Sequence, residues 1–306
     1  MRPGQTPDAS GPGRLRPGVA LPFFWRRIRG SVRARPGAAP LVPFDPRALE
    51  RTPAVTWVGH ASFYVRLGAA AFLVDPMYSE YASPIRFGPR RLVAPGVPLS
   101  ALPRVDFALL SHDHYDHTDL PTVRGLAARG VPFVVPLGMG GLVRGAGGRV
   151  AAELGWWQET RIADVTVTCV PARHFSGRAL TDRNRRLWAG FVVADATRRL
   201  YHSGDTALFD GFADIGRRVG PIDLAFLPIG AYEPRAMMGP IHLNPEEAVR
   251  AALELDARSA VAMHFGTFDL SDEPLDEPPR RFLAEARARG LGERAFVLAV
   301  GETRRF

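Results

Sequence analysis

The stretch LLSHDHYDHTDL, residues 109–120, follows the apolar run Val105–Leu110 and contains four residues of the types that bind metal ions in proteins. They are His112, His114, Asp116 and His117. A histidine-rich polar turn is one interpretation, but charged groups next to a buried strand are costly unless they are paired or bound to a metal. Residues two apart in an extended turn point the same way, so His112 and His114 are expected to chelate one ion together. Asp116 and His117 follow where the chain curls into a helix, and they are expected to turn toward a second ion.

Three more residues of this kind each follow another predicted strand. They are His174, Asp205 and His264. Strand ends in a layered fold meet along one edge, so residues far apart in the sequence are expected to converge there with the first cluster. Six nitrogen or oxygen ligands and a bridging carboxylate are what two borderline divalent ions need.

The rest of the chain predicts an α/β (α+β) fold of two packed β-sheets with helices on their outer faces. Strands come first and in runs, and helices lie between and after them. Residues 54–76 predict a hairpin, in which two strands flank Gly68 and the second ends at Asp75. The segment RAFVLAVGE, residues 294–302, predicts the last strand.

Two helices have clear start and stop signals. In NPEEAVRAALELD, residues 244–256, Asn244 suits the N-cap and Pro245 suits the first helical position. Apolar residues at spacings of three and four complete the helical pattern. The segment PPRRFLAEARARG, residues 278–290, predicts another helix with a glycine stop.

The net charge of +8 on the 306 residues is concentrated near the N-terminus. All 39 basic residues are arginine, and residues 1–50 hold nine of them against three acids, which gives +6. Residues 51–306 hold 30 arginines against 28 acids, and this nearly neutral balance argues against a nucleic-acid-binding protein. We therefore expect a basic Pro/Arg-rich arm over residues 1–50, partly disordered, and one folded domain over residues 51–306.

The arm contains LPFFWRRIRGSVRAR, residues 21–35, in which aromatic residues alternate with arginines. This pattern predicts a short amphipathic helix that either contacts an anionic membrane surface or packs on the domain as a structural arm. The chain contains no apolar stretch of the roughly 18–20 residues that span a bilayer, and the N-terminal order of charges is wrong for a secretory signal. We expect a cytoplasmic protein, peripheral on the inner face of the membrane if the segment binds lipid.

Cys169 is the only cysteine, which excludes an internal disulfide and a cysteine-based zinc knuckle. It lies in the alternating run VTVTCV, so we expect an inert thiol in the core.

The motif SHDHYDH, followed in order by His174, SGDT and HFG, resembles the metallo-β-lactamase fold superfamily over about residues 53–301. The resemblance implies an αββα sandwich, in which two mixed β-sheets are flanked by helices. It implies that one metal is held by His112, His114 and His174. It implies that the other metal is held by Asp116, His117 and His264, with Asp205 between the two. Two Zn²⁺ ions are expected, with iron or manganese as alternatives.

A finer resemblance rests on TWVGHASF, VDPMYSEYASPIRFGPRR, GAYEPR, HLNPEEAV and HFGTF. Together these segments are similar to the N-acyl-phosphatidylethanolamine phospholipase D family and its bacterial relatives. The similarity implies a zinc-dependent hydrolase that cleaves a phosphodiester, in a phospholipid or another small substrate, in the phospholipase D sense. The glutamine expected before the histidine of HLNPEEAV is Ile241 here, a departure from the family pattern.

Asp116 and His242 are the candidate catalytic residues. His242 either bonds a substrate phosphate or is a solvated loop histidine, and His60 either supports the metal centre or belongs to the core. His202 is expected to be structural. Asp75 either orients a ligand histidine or satisfies turn backbone.

Several arginines near these motifs are candidates to bind a phosphate with paired N–H groups, or else form a solvated surface. They are Arg90, Arg91, Arg173, Arg178, Arg183, Arg185 and Arg186.

Three other functions fit parts of the pattern. A lactonase or other C–O hydrolase would use the same fold. An iron oxidoreductase of the persulfide dioxygenase type would bind one iron, whereas the flavodiiron type is disfavoured because His114 stands where those proteins resemble HxExDH. A non-catalytic membrane-binding protein is disfavoured by the complete ligand set.

Overall fold

Two seven-stranded β-sheets lie at the centre of the fold in the computed structural model, which describes residues 37–179 and 181–306. The first sheet has the order β14-β1-β2-β3-β4-β5-β6. Its strands are β1 (Ala54–Gly59), β2 (Ser62–Leu67), β3 (Ala70–Val74), β4 (Phe107–Leu109), β5 (Pro132–Pro136), β6 (Arg149–Leu154) and β14 (Thr303–Arg305). In this order, neighbouring strands are antiparallel from β14 through β1 and β2 to β3, and parallel from β3 through β4 and β5 to β6.

The second sheet has the order β13-β12-β11-β10-β9-β8-β7. Its strands are β7 (Glu159–Ile162), β8 (Val165–Val170), β9 (Gly190–Ala194), β10 (Arg199–His202), β11 (Ile222–Pro228), β12 (Ala257–Met263) and β13 (Ala295–Phe296). Strands β7 to β10 pair antiparallel, and β10 to β13 pair parallel.

Helices lie outside both sheets. They are α1 (Leu120–Ala127), α2 (Gly140–Gly145), α3 (Gly211–Val219), α4 (Arg235–Met238), α5 (Pro245–Glu254) and α6 (Glu277–Ala288). Helix α2 packs on β5 and β6, and α5 packs on β11 and β12. The predicted αββα sandwich of two mixed sheets is confirmed.

Adjacent residues of the inner strands of the first sheet face different cores, which is why every residue of β1, β3 and β4 is buried. Trp57 and Phe63 face the core between the sheets, whereas their neighbours Val58 and Tyr64 face the core under α1 and α2. The ring of Phe63 contacts Phe226 of the second sheet edge-on, with 4.5 Å between the centroids. Alternation along each strand therefore builds both layers of the sandwich.

Two strand predictions are wrong in detail. Residues 54–74 form three strands, because the chain also turns between β1 and β2, where Gly59 and His60 have φ values of 123° and 57°. The single strand predicted over residues 294–302 is divided between the two-residue β13 and an isolated bridge from Val300 to Leu41. Both errors have one cause, since an apolar run does not reveal where the chain changes partner.

The helix predicted over residues 244–256 is confirmed as α5. Asn244 accepts a hydrogen bond from the backbone of Glu247, and the Glu247 side chain bonds the Asn244 backbone in return. Cys169 is fully buried and free, and burial raises the pKa of its thiol, as expected for an inert core cysteine.

The described end of the basic arm packs along the domain, where Ala39 and Val42 donate backbone hydrogen bonds to Gly266 and Val300. The prediction of a helix over residues 21–35 lies outside the described residues. Within the part of the chain that is described, no helix has the length and apolar character needed to cross a bilayer.

Phe63→Ala should lower the free energy of unfolding by about 3–5 kcal/mol, because it empties a fully buried position between the two sheets. Phe87→Ala, at a side chain that is 62% exposed, is the matched control and should change stability by less than about 0.5 kcal/mol. Urea denaturation followed by far-UV circular dichroism measures both. Equal effects would contradict this packing.

Candidate metal centre

All seven predicted ligands meet at one edge of the two sheets. Each follows the end of a strand or lies in the loop after it: four after β4, His174 after β8, Asp205 after β10 and His264 after β12. Seven of the eight histidines of the chain lie in this cluster, and only His202 lies outside it. The convergence expected from strand-end positions is therefore observed.

The first group of candidate ligands consists of His112, His114, His174 and Asp205, whose ligand atoms lie within 4.8 Å of one another. The Nδ1 atom of His114 is 2.9 Å from Nε2 of His112 and 3.2 Å from Nε2 of His174. The Oδ2 atom of Asp205 completes the group at 3.8 Å and 3.7 Å from the same two Nε2 atoms. Nitrogen atoms this close suit neighbouring positions around one ion.

The second group consists of Asp116, His117, His264 and His60. The Oδ2 atom of Asp116 lies 3.4 Å from Nε2 of His264 and 3.8 Å from Nε2 of His117. Asp205 also contacts this group, with Oδ1 3.2 Å from His264 Nε2 and Oδ2 3.2 Å from His117 Nε2. Asp205 thus lies between the two groups, as a bridging ligand must.

Hydrogen bonds from outside the cluster fix how its histidines face. Asp75 accepts from Nδ1 of His117 at 2.8 Å, so the other nitrogen of that ring faces the centre. Asp75 also accepts from the hydroxyl of Ser111 at 2.6 Å. Since that hydroxyl donates to Asp75, it must accept from Nδ1 of His112 at 2.9 Å, which leaves Nε2 of His112 unprotonated. Asp75 therefore orients candidate ligand histidines, the first of its two predicted roles, while its other oxygen accepts from the Ser111 backbone at 2.7 Å.

His174 is oriented by the backbone carbonyl of Ile241, which accepts from its Nδ1 atom at 2.9 Å. Sequence reasoning missed this contact because a carbonyl group is common to all residues and leaves no signal in the sequence. It also missed Asp113, a fully buried carboxylate that accepts from the Gly177 backbone at 2.7 Å and from Arg186 at 2.8 Å. Asp113 thereby ties the metal-binding loop to the loop after His174.

The charges and unpaired atoms of the cluster fit bound cations. Despite burial, which opposes ionisation, the surrounding histidines hold the pKa values of Asp116 and Asp205 well below their usual range. A buried carboxylate on Asp205 beside a partly buried one on Asp116 requires positive charge nearby. Among the described residues, Nε2 of His117, Nε2 of His264 and Oδ1 of Asp205 are buried without a hydrogen-bond partner.

The histidines divide into two electrostatic types. Burial lowers the pKa of His174 to about 3 and that of His114 to about 4, so both are neutral at pH 7 and suited to bind a metal. Burial opposes protonation of His264 as well, but the carboxylates of Asp205 and Asp116 raise its pKa to about 9. A proton at His264 takes the place that a metal cation between the same carboxylates would fill.

His60 supports the centre and does not belong to the apolar core. Its Nε2–H donates to Oδ2 of Asp116 at 3.0 Å, and its ring packs 4.0 Å from that of His264. Burial lowers the pKa of His60 to about 3. His60 therefore holds Asp116 in place as a neutral imidazole.

His242 is 7% exposed, which excludes the alternative of a solvated loop histidine. Its Nδ1 atom lies 3.9 Å from Oδ2 of Asp205 and has no hydrogen-bond partner among the described residues. The Arg235 guanidinium donates to the His242 carbonyl at 3.2 Å and pairs with Glu247 at 2.7 Å. The loop that carries His242 is thus anchored to the start of α5.

His202 is structural, as predicted, because both of its ring nitrogens bond backbone atoms, at Ala61 and Gly204.

Most of the candidate phosphate-binding arginines bond other residues of the protein. Arg91 donates to the carbonyls of Met77 and Ser79.

The remaining candidate arginines have different partners. Arg178 donates to the carbonyls of Asp113 and Thr118, Arg186 pairs with two aspartates, Arg90 pairs with Glu80, Arg173 donates to Leu208, and Arg185 is exposed. Arg183 lies 4.2 Å above the ring of Phe175, which contacts the ring of His114 at 4.5 Å. One aromatic ring, that of Phe175, thus lies between Arg183 and the candidate ligand His114.

Two packed sheets with helices outside and a His/Asp cluster at one sheet edge are typical of the metal-dependent hydrolases of the metallo-β-lactamase fold. The chain belongs to the family described as the Beta-lactamase superfamily domain, whose profile matches residues 71–265. The His/Asp groups described above are able to bind metal.

Known relatives support the finer resemblance as well. An uncharacterised protein of Mycobacterium tuberculosis is 43% identical over 275 residues, which cover 86% of this chain and 73% of that protein. N-acyl-phosphatidylethanolamine-hydrolyzing phospholipase D 1 of Caenorhabditis elegans is 38% identical over 243 residues, or 75% of this chain and 68% of that enzyme. A metallo hydrolase from Ignicoccus hospitalis shares the fold, with a TM-score of 0.62, 20% identity, and coverage of 83% of this chain and 98% of that one.

Asp205→Ala should remove at least one of two bound metals per chain, because Asp205 contacts both ligand groups. Elemental analysis after purification in zinc-containing buffer measures the stoichiometry. His202→Asn is the matched control, since it changes the one histidine outside the cluster and should leave the metal content unchanged in folded protein. A full metal complement in Asp205→Ala would contradict the bridging position.

Asp75→Asn should weaken binding at the second group by about 10–100-fold, because an amide orients the His117 ring less firmly than a carboxylate. Titration of the loaded protein with a zinc chelator measures the affinity of each ion. The first ion to leave should be lost more readily than from the unaltered protein, whereas identical release curves would show that Asp75 has no part in holding the metal.

Proposed function

We propose that this protein is a dinuclear zinc hydrolase that cleaves a phosphodiester of N-acyl-phosphatidylethanolamine-type phospholipids in the phospholipase D sense. The observation that carries the proposal is the pairing of two adjacent ligand groups around Asp205 with 38% identity to an enzyme that hydrolyses this lipid. A mitochondrial yeast enzyme of the same name is 32% identical over 82% of this chain and 55% of its own length.

The donor set supports two zinc ions. Histidine nitrogens and carboxylate oxygens, without thiolates, make up both groups, and Zn²⁺ binds both kinds of atom at low coordination number. In the proposal, His112, His114 and His174 hold one ion, Asp116, His117 and His264 hold the other, and Asp205 contacts both. Two such ions lower the pKa of water toward neutrality and neutralise phosphate oxygens.

The charge of the site supports a phosphodiester over a neutral ester or lactone. The charge of two divalent cations exceeds that of the Asp116 and Asp205 carboxylates, and the remaining positive charge complements an anionic phosphate. The nearby Arg183, above Phe175, adds a further positive charge on the side of His114. A lactone would present no charge to this surplus.

His242 is proposed to hold a phosphate oxygen. It lies beside Asp205 and His264, with which it forms a third group of possible ligands, and its Nδ1 atom is free of hydrogen bonds to described residues. An N–H at that atom would donate to the substrate, while Arg235 keeps the loop in position through the His242 carbonyl. Asp116 acts as ligand and catalytic residue, held by His60.

The side chain of Ile241 is proposed to affect which substrate is accepted and not how the metal is held. Its carbonyl orients His174, an interaction that any residue at this position provides, whereas its side chain packs against Met237 and Met238. A glutamine there would offer a polar group instead of this small apolar cluster. We propose that the exchange alters which part of the lipid is accepted, at a site on the cytoplasmic face of the membrane.

Hydrolysis in ¹⁸O-labelled water should place the label in the phosphatidic acid and none in the released N-acylethanolamine. Water oxygen forms the new bond to phosphorus, the bond from phosphorus to the ethanolamide oxygen breaks, and a proton passes to the departing alcohol. Mass spectrometry of both products measures the label. Label in the alcohol would show that carbon is attacked instead.

His242→Ala should lower kcat by about a hundredfold while leaving two metals per chain, because it removes a group that contacts the substrate and not the metal. His242→Gln, which keeps a hydrogen-bond donor, should recover part of the rate. Kinetics on a phosphodiester panel together with elemental analysis separates the two effects. A parallel loss of metal would reassign His242 as a ligand, and faster turnover of lactones than of any phosphodiester would overturn the proposed reaction.

A further inference from the structure

The loop between β3 and β4 exposes two large apolar side chains at its tip. Ile85 is 63% exposed and Phe87 is 62% exposed, the highest values for large hydrophobic residues in the described part of the chain. Between them stands Arg86, whose side chain is 87% exposed. Two exposed apolar side chains of this size within three residues are typical of surfaces that bind a partner.

Backbone hydrogen bonds within the loop support its tip. The Ala82 N–H donates to the Pro89 carbonyl at 2.9 Å, and the Arg91 N–H donates to the Glu80 carbonyl at 2.7 Å. These bonds close a short two-stranded neck below the tip. The apolar side chains are therefore presented by an ordered support.

Both ends of the loop are fixed to the surroundings of the metal centre. Asp119, the N-cap of α1 two residues after the HxHxDH motif, accepts hydrogen bonds from the backbone and hydroxyl of Ser79 at 3.0 and 2.7 Å. At the other end, the Arg91 guanidinium lies 4.9 Å above the ring of Phe268, which packs 5.2 Å from the ring of His60. The base of the loop is thus anchored next to the candidate active site.

The charge of the loop is positive. Residues 80–91 contain three arginines and one acid, Glu80. Glu80 lies 2.7 Å from Arg90 and 3.4 Å from Arg86, so one carboxylate is shared between two exposed guanidinium groups. Apolar side chains that project beyond a positive rim suit the interface of an anionic bilayer, where the arginines meet lipid phosphates.

We infer that residues 82–90 form a docking loop for anionic phospholipid bilayers. Ile85 and Phe87 enter the interface, and Arg86 and Arg90 face the headgroups, which places the metal centre at the lipid surface. The choice of a bilayer as partner rests on the proposed lipid phosphodiesterase function. A second copy of this chain is the competing occupant of the apolar tip.

The single buried cysteine allows a direct test. Phe87→Cys introduces one accessible thiol, because Cys169 is fully buried, and that thiol can carry an environment-sensitive NBD fluorophore in the full-length chain. Leu253→Cys is the matched control, since Leu253 is 44% exposed at the far end of α5. Both labelled proteins are mixed with vesicles of phosphatidylglycerol and with vesicles of phosphatidylcholine.

A blue shift and intensity gain at position 87 with phosphatidylglycerol, weaker with phosphatidylcholine and absent at position 253, is the expected result. No change at position 87 while the protein sediments with vesicles would overturn the docking loop, because another segment would then make the contact. A fluorescence change at position 87 that appears at higher protein concentration without lipid would show that the tip self-associates. That result would also overturn the docking loop.

The double variant Ile85→Ser/Phe87→Ser adds a measurement that does not depend on a label. Partition onto phosphatidylglycerol vesicles should fall by about tenfold or more, while hydrolysis of soluble bis(p-nitrophenyl) phosphate stays unchanged. Unchanged partition would refute the docking loop. If the unaltered protein hydrolyses no phosphodiester but the Phe87→Cys protein labelled with NBD shows the lipid-dependent shift, the proposed function fails and the docking loop stands.

Discussion

Two carboxylates, the buried one of Asp205 and the largely buried one of Asp116, set the requirement that the rest of the site meets. An ionised carboxylate away from water needs positive charge within a few ångströms, and seven histidines surround this pair. Some of those imidazoles can take up a proton. Several others are held neutral by burial, and their unprotonated nitrogen atoms face one another. Cations resolve both conflicts at once, since they neutralise the carboxylates and occupy the lone pairs.

The sandwich supplies what such a cluster needs, because each ligand lies at or just beyond a strand end that packing already fixes. Both faces of the first sheet are covered, so β4 cannot shift without disturbing two cores. The outer hydrogen bonds then set the orientation of the rings. Asp75 connects His117 through one oxygen to Ser111 and so to His112, which couples residues from both ligand groups.

The surface around the centre differs in character from place to place. Arg178 and Arg186 are used to hold the metal-binding loop together, through the Asp113 carbonyl and carboxylate respectively. The loop of residues 82–90 instead exposes its arginines and apolar side chains. Arginine thus holds the loop together where its N–H groups bond carbonyl or carboxylate oxygens, and it contributes surface charge where those groups face solvent.

The sequence by itself determined the layered fold, the helix capped by Asn244 and all seven candidate ligands, because strand periodicity, capping chemistry and a dense HxHxDH motif are local signals. It left open His60, Asp75 and His242, whose roles depend on which side chain lies opposite, and it misplaced the turn at His60 and the final strand. Only the tertiary structure brought Asp75 to His117 and the Ile241 carbonyl to His174, 42 and 67 residues away along the chain. Contacts of that kind form when separate strands and loops pack together, and no local pattern of residues encodes them.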